Sequence, residues 1–255
     1  MKITLNSGWI KVVNVMTKLT EVVFPISLIN SRYYRNHIFC HKHRPTAMMF
    51  RTLPPVTTFE EFVEFLPENS GVRYELHNGN IIEMAQPVGE HEEVKSFLGV
   101  EIPFEIKRLG LPYGIPNQVI VRPESKDSGY FPDILVMNRD NLANEKRWKK
   151  EAILSQGASI SLAIEIVSTN WRDDYHLKYA DYEEMGIAEY WLVDYAALGG
   201  RNFIGNPKQP TISVCNLVDG EYQVSKFQNC DRLISQTFPE LNLTVNQIFK
   251  TGIPN

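Results

Sequence analysis

One stretch, residues 161–194, constrains the fold of this chain more than any other. Its sequence, SLAIEIVSTNWRDDYHLKYADYEEMGIAEYWLVD, predicts a buried strand at 162–167, a helix at about 173–185 closed by Gly186, and a second strand at 189–193. A strand, a helix and a strand in this order form a crossover, which makes the two strands parallel and lays the helix on one face of the sheet. The sequence therefore predicts an α/β fold.

Two charged residues of this stretch occupy positions that the pattern assigns to the interior. Glu165 interrupts an otherwise apolar strand, and Lys178 lies on the helix face that is predicted to pack on the sheet. A buried carboxylate without a partner is unstable, so Glu165 must take up a proton, pair with a cation or bind a metal ion. The structural alternative pairs Lys178 with Asp174 one turn earlier and makes Glu165 a satisfied core acid. This stretch alone supports both interpretations equally.

Composition excludes several classes of protein. With 255 residues and 43% apolar content, the chain can bury one substantial core. The net charge of -4 means that any binding of nucleic acid must come from a local basic patch. Its three cysteines, Cys40, Cys215 and Cys230, form no CxxC motif, which favours a reducing compartment, and we expect a cytoplasmic protein.

Residues 1–47 differ in character from the rest, because their charged residues are almost all basic. Their apolar stretches are too short for a membrane span and lack the layout of a signal peptide. We expect a poorly structured basic extension, with Met48 or Met49 as an alternative start, followed by one domain over residues 48–255. Four residues of the extension suggest a metal cluster that nothing downstream completes: His37, Cys40, His41 and His43.

Several local patterns define the remaining elements of the domain. Capping boxes predict short helices near both ends, and two-residue turns predict two β-hairpins. A helix at about 89–109 should kink or break because Pro103 lies inside it. The predicted elements follow in chain order: a helix after Thr58, a hairpin around Asn78-Gly79, the 89–109 helix, strands at 117–122 and 130–137, a hairpin around Asp219-Gly220, and a helix after Thr244.

Three further residues are candidates for the same site as Glu165. Asp133 immediately precedes the buried run of a predicted strand and supplies the third group that the crossover lacks. Glu75 lies inside the first hairpin strand, although a solvated hairpin face is the more common place for such a residue. His91 begins the inward face of the long helix, where a hydrogen-bonded core histidine is the more common outcome.

A basic segment lies between the two strands that carry the acids. It consists of Lys146, Arg147, Lys149 and Lys150 around Trp148. Cationic side chains beside an aromatic ring suit contacts with a nucleic-acid backbone and stacking on a base. A solvated loop or helix face is the more common alternative.

From residue 89 to residue 194, the order of elements is helix, three strands, helix and strand, with acids on the second and third strands and a lysine on the following helix. This resembles the core of the PD-(D/E)XK, or restriction endonuclease-like, nuclease superfamily, a mixed central sheet flanked by helices. More narrowly, residues 57–249 resemble the Uma-two (Uma2) family of restriction endonucleases in these segments: RYELHNGNIIEM, FPDILVM, the stretch 162–194 and FPELNLTVNQIF.

The resemblance implies a divalent-metal-dependent endonuclease that hydrolyses DNA phosphodiester bonds. Asp133 and Glu165 would bind the ion, usually magnesium with manganese as the alternative. The usual lysine position, two residues after the strand acid, is Val167 here, and Lys178 on the next helix would take its role beside the attacking water. Glu75 and His91 match pocket-lining positions of the family. DNA is the implied partner, and a homodimer is expected from the superfamily.

Other catalytic motifs are absent from the sequence, including GxxxxGK, HExxH and GxSxG. Two alternatives to a nuclease stay open at this point. One is a nuclease-fold module that binds DNA or a protein without cutting, which Val167 and the acidic net charge favour. The other is a metal-dependent hydrolase that acts on a small phosphorylated substrate.

Overall fold

The computed structural model describes residues 2–6, 9–13, 21–25, 56–66 and 72–250. The chain divides into two compact units, Met1–Arg51 and Thr52–Asn255. In the first unit, the described residues form an antiparallel sheet of β1 (Lys2–Asn6), β2 (Trp9–Val13) and β3 (Glu21–Pro25). The sequence predicted a poorly structured basic extension over residues 1–47, and that division of the chain stays a prediction. The histidines and the cysteine of the suggested metal cluster lie outside the described residues, and the boundary at residue 47 stays a prediction.

The second unit opens with three elements that precede its main sheet. They are helix α1 (Phe59–Phe65), the hairpin of β4 (Arg73–His77) and β5 (Asn80–Met84), and helix α2 (Gly89–Leu109). Asn78 and Gly79 have φ values of 48° and 81°, the left-handed conformation that a tight two-residue turn requires. Thr58 and Glu61 form the predicted capping box at the start of α1. These sequence predictions are confirmed.

A six-stranded mixed sheet forms the centre of this unit. Its strands are β6 (Tyr113–Gly114), β8 (Ile134–Asn138), β10 (Ile160–Ile166), β11 (Glu189–Asp194), β12 (Thr211–Val218) and β13 (Glu221–Phe227). They lie in the order β13-β12-β11-β10-β8-β6, and only β10 and β11 run parallel. The predicted crossover and the second hairpin are both present, and so is the α/β fold.

The crossover helix begins differently from the prediction of one uniform α-helix. After two helical residues, 171–172, the segment Asp173–Lys178 forms a wide π-helical turn, and the chain continues as helix α4 (Tyr179–Met185). Gly186 ends α4 with a φ of 79°, as the sequence predicted. Turns of this kind are rare and frequently occur at functional sites.

Both faces of the central sheet are covered. Alternate residues of β10 point to opposite faces, so Leu162, Ile164 and Ile166 pack in the cluster that contains the buried side of α2. On the other face, Ala163 packs in the cluster that contains Tyr182 of α4. The prediction for helix α2 was a kink or a break near its internal proline; the helix is uninterrupted from Gly89 to Leu109, so no break occurs, and the kink stays a prediction.

Two predicted strands are shorter than expected, and one belongs to another sheet. Instead of residues 117–122, only β7 (Ile120–Val121) is extended, and it pairs in parallel with β9 (Ile153–Leu154) outside the central sheet. One of the two edge strands of the central sheet is β6, which the sequence did not predict. Pro123 closes β7, and Pro132 delays the start of β8, because proline has no N–H to donate to a ladder.

The remaining helices are short. They are α3 (Trp148–Glu151), α5 (Arg201–Ile204) and α6 (Val245–Phe249). The capping box of Thr244 and Gln247 starts α6 as predicted. Within the described residues, no helix combines the length and the apolar character that crossing a membrane would require.

Candidate active site

A cavity of about 160 Å³ collects the acids and the lysine that the sequence singled out. Glu75 reaches it from β4, His91 from α2, and Asp133 from the residue just before β8. Glu165 reaches it from β10, and Lys178 from the π-helical turn. Five elements that are distant in sequence therefore bring all five predicted residues to one space.

The carboxylate of Asp133 is held from three directions. Its Oδ1 accepts from Lys95 Nζ at 3.1 Å, and its Oδ2 accepts from the backbone N–H of Ile166 at 3.0 Å. The Nε2 of His91 lies 3.3 Å from the same Oδ2. Burial alone would raise the pKa of Asp133, but His91, Lys95 and this N–H together hold it far below its usual range. Asp133 is therefore ionised.

The ammonium group of Lys178 contacts three carboxylates. Its Nζ lies 3.1 Å from Glu165 Oε1, 3.2 Å from Glu75 Oε1 and 3.4 Å from Asp174 Oδ1. The side chain is only 3% exposed. Burial opposes its charge, but the three carboxylates raise the pKa of Lys178 well above its usual value. Lys178 is therefore a buried cation.

The three acids around Lys178 differ in their protonation. Burial raises the pKa of Glu165 well above its usual value, and Lys178 opposes this only in part. Burial also raises the pKa of Asp174, to about 7. For Glu75, burial is outweighed by Lys178, by His77 at 2.9 Å and by the N–H of Phe131, and its pKa is lowered. One ammonium cannot neutralise three carboxylates, so Glu165 and Asp174 tend to hold protons.

The donor chemistry of the cavity fits a hydrated divalent ion. Asp133 and Glu165 both line it and offer hard oxygen ligands, which magnesium prefers. Magnesium keeps several of its waters and is often held by only one or two carboxylates. Within residues 56–66 and 72–250, no three His, Cys, Asp or Glu side chains are grouped so that they could hold an ion. Two protein ligands supplemented by water are therefore the arrangement that these residues could provide.

One structural alternative raised by the sequence is wrong, and a second holds in part. Glu75 does not lie on a solvated hairpin face, because it is only 1% exposed. The pair of Lys178 and Asp174 does form, but it is buried inside the larger cluster and is not a surface contact. His91 does contact a partner, as a core histidine would, but that partner is Asp133 and both line the cavity.

Sequence reasoning missed Lys95 as part of the site and gave Asp174 only a structural role. Both lie four residues from a candidate, Asp174 before Lys178 and Lys95 after His91, and this spacing places each pair on one helix face. That spacing was the available signal. Lys95 is partly exposed, which is the ordinary state of a lysine, so nothing in the sequence marked it further.

The basic segment does not reach the cavity. Lys146, Lys149 and Lys150 are exposed around α3. Arg147 is engaged by two carboxylates, with Nη1 2.8 Å from Glu60 Oε1 and Nε 2.6 Å from Glu151 Oε2. Only the three lysines of this segment are therefore available to a partner.

Comparison with known proteins places this architecture in a family. A solved structure described as "a putative nuclease belonging to DUF820", from Anabaena variabilis ATCC 29413, is 20% identical and superimposes with a TM-score of 0.59. The match covers 77% of this chain and 99% of that one, and at this identity it establishes the fold. No curated protein matches the chain. The family model for Uma2, described as "Putative restriction endonuclease", matches residues 59–246. That match spans most of the chain and every predicted cavity residue, so the chain belongs to the Uma2 family.

Proposed function

We propose that this protein is a divalent-metal-dependent endonuclease that hydrolyses phosphodiester bonds in DNA. Membership of a family described as restriction endonucleases supports a nuclease. The observation that carries the finer proposal is the meeting of Asp133, Glu165 and Lys178 in one cavity. Two acids can hold a metal ion that polarises a phosphoryl oxygen, and a nearby cation can stabilise the charge that develops in the displacement.

Asp133 and Glu165 are the residues that would hold magnesium or manganese. When bound, such an ion polarises a phosphoryl oxygen and lowers the pKa of a coordinated water. Asp133 is already ionised and oriented by His91, Lys95 and the N–H of Ile166. Glu165 would release a proton as a cation arrives, because metal ligation needs the deprotonated form.

Lys178 would contribute positive charge and would not act as a base. Its pKa is raised by the surrounding carboxylates, so the amine stays protonated. A fixed cation beside the attacking water or the phosphoryl oxygens stabilises the charge that develops during the displacement. In this proposal Glu75 and Asp174 position the ammonium, and His91 positions Asp133.

The exposed lysines of the basic segment are proposed to contact the DNA backbone. Lys146, Lys149 and Lys150 keep their charges free of the ion pairs that engage Arg147. Contacts of this kind add affinity for any sequence and do not select a base.

A cleavage assay tests the proposal directly. Supercoiled, branched and single-stranded DNA are incubated with the protein and magnesium, beside the variants Asp133→Asn, Glu165→Gln and Lys178→Met. Each variant should cut at least ~100-fold more slowly, because each removes a group that acts on the reacting phosphate. The matched control is Glu105→Gln, which changes a buried acid that pairs with Arg108 outside the cavity, and it should cut normally.

The non-cutting binding module is the second candidate. It is favoured by the contacts of Lys178, which engage Glu165 together with two other carboxylates, and by Val167 at the usual lysine position. Tight DNA binding with no cleavage of any substrate would support this module and overturn the nuclease proposal. A phosphomonoester included in the same assay covers the small-substrate alternative.

A further inference from the structure

A second cavity, of about 340 Å³, lies on the crossover-helix side of the central sheet. It is bounded by the π-helical turn, by α5 and by strands β11 to β13, and it shares no lining residue with the candidate active site. Its lining includes Tyr175, His176, Tyr179, Phe203, Ser213 and Lys226. Nothing in the proposed reaction uses it.

Aromatic rings form one wall of this cavity. Tyr175 and Phe203 lie with ring centroids 4.6 Å apart and planes inclined by 33°. The ring of His176 meets Phe203 edge-on at 5.2 Å, and Trp171, outside the lining, packs edge-on against Tyr175 at 6.2 Å. Such a wall favours a flat, polarisable ligand, because rings stack and meet edge-to-face at these distances.

Two hydroxyl groups in the lining are buried without any hydrogen-bond partner but each other. Tyr175 is 3% exposed and Ser213 is 1% exposed, and no other group within the described residues bonds to either hydroxyl. Even a bond between the two would leave one O–H proton without an acceptor. A buried donor without an acceptor is destabilising, so the cavity suits a ligand that carries acceptor atoms.

We propose that this cavity binds a nucleobase of the DNA strand, an inference that rests on the proposed function. Nucleobases are flat, stack on aromatic side chains, and carry carbonyl and ring-nitrogen acceptors. Exposed Lys226 lines the pocket, where a phosphate backbone would pass, and its Nζ donates to the Asn202 carbonyl at 3.1 Å. Exposed Arg172 lies outside the lining and stacks at 4.5 Å on Trp171, whose ring contacts Tyr175 and Phe203.

The position of the cavity suggests how a bound base would help to orient the DNA strand. Asp174 and Lys178 face the candidate active site, whereas Tyr175, His176 and Tyr179 face the second cavity. The two spaces therefore lie against neighbouring faces of one helix, which is about 10 Å across. A base held in the second cavity would fix the strand a few nucleotides from the phosphate that is cut.

The test compares binding of a normal strand with binding of a strand that lacks bases. Fluorescence anisotropy is measured in EDTA with a labelled single-stranded oligonucleotide and with an abasic strand of equal length. We expect the wild type to bind the normal strand at least about 5-fold more tightly, since stacking and hydrogen bonds both need the base. In the double variant Tyr175→Phe, Ser213→Ala, this preference should fall about 5-fold.

Control variants separate binding from folding. The matched control is Tyr179→Phe, which removes a hydroxyl in the same cavity that already donates to the Tyr222 carbonyl at 3.3 Å. It should keep the full preference for the normal strand. Ser213→Ala alone removes one oxygen and serves if the double variant does not fold.

Equal affinity of the wild type for both strands overturns the inference, and so does an unchanged preference in the hydroxyl variants. Cleavage is measured separately, so the two proposals fail in different ways. Magnesium-dependent cleavage without a base preference would reject only this cavity. A base preference that depends on the hydroxyls, without cleavage, would reject only the nuclease.

Discussion

Lys178 sets one positive charge against three buried carboxylates, and this imbalance governs the chemistry of the cavity at the scale of single residues. Glu75 keeps its charge through extra hydrogen bonds, while burial pushes the pKa of Glu165 and Asp174 upward. In the metal-free protein, Glu165 and Asp174 are therefore readily protonated, in the same cavity where a cation is proposed to bind. This makes the fold itself sensitive to pH.

Asp174→Asn should flatten the dependence of stability on pH. Burial raises the pKa of Asp174 from 3.8 to about 7. Between these values the unfolded chain holds fewer protons than the folded one, so the stability contributed by Asp174 is full below about pH 4 and is lost as the pH rises to 7. Urea unfolding of the metal-free protein from pH 4 to 8 measures the effect.

Asn cannot titrate, so the variant should lose less stability than the wild type across this window. The matched control is Asp173→Asn, which makes the same change at the neighbouring acid outside the Lys178 cluster. A wild-type slope in Asp174→Asn would mean that Asp174 is ionised throughout.

The sequence predicted the chemically unusual residues and missed the ordinary ones. Glu165 and Lys178 stood out because a charge inside an apolar pattern is costly, and Asp133 stood out because it opens a buried strand. Lys95 does not interrupt an apolar pattern, so the sequence gave no reason to select it. The hydroxyls of Tyr175 and Ser213 also carried none, because only the packing decides whether such groups find partners.

Gly157 shows at the scale of elements how tightly the crossover is packed. It lies in a short 3-10 turn just before β10, directly against the end of α4. A Cβ at this position would stand 2.2 Å from the Met185 carbonyl oxygen and 2.5 Å from the Gly186 carbonyl carbon. Backbone atoms of this kind cannot rotate out of the way.

Gly157→Ala should therefore lower the free energy of unfolding by about 1–3 kcal/mol, the usual cost of overpacking. Gly99→Ala is the matched control, because Gly99 lies in α2 with no atom within 4 Å of the added Cβ. It should stabilise the protein by about 0.5–1 kcal/mol, since alanine favours the helix. Denaturant midpoints of the two variants measure the contrast, and equal midpoints would contradict this packing.

The sequence predicted elements correctly where neighbouring residues determine the structure, and incorrectly where pairing with a distant strand determines it. Asn78-Gly79 and the capping boxes specify their turns and helix starts within a few residues. By contrast, β6 and β7 are two residues each, and their assignment to different sheets depends on distant strands. The π-helical turn of Asp173–Lys178 also lies beyond local pattern, because its residues fit an α-helical period.

At the scale of the whole molecule, the net charge of -4 opposes DNA, so affinity has to come from a local patch. The exposed lysines around α3 are the proposed patch. Arg147 forms ion pairs with Glu60 and Glu151, so the basic patch contains fewer available cations than the sequence suggested.

Charge reversal of this patch should reduce the salt dependence of DNA binding. If Lys149 and Lys150 each contact one phosphate, then Lys149→Glu, Lys150→Glu should flatten the slope of log affinity against log salt by about 1.8. Affinity should fall by a similar factor for all sequences. Titrations of duplex DNA at several salt concentrations measure both effects.

The matched control reverses two exposed lysines elsewhere, Lys107→Glu and Lys250→Glu, and makes the same change in net charge. Its slope should stay close to that of the wild type. If both double variants behave alike, affinity follows overall charge and the α3 lysines have no special place.

The hydrogen bond from the Ile166 N–H to Asp133 Oδ2 joins the two proposed metal ligands to the same strand. The side chain of Asp133 is hydrogen-bonded to the backbone of β10 next to Glu165. The distance between the two carboxyl groups is therefore set by the sheet and not by the surrounding loops. Related sequences could therefore diverge widely in loop length and surface composition while the gap between the acids stayed constant.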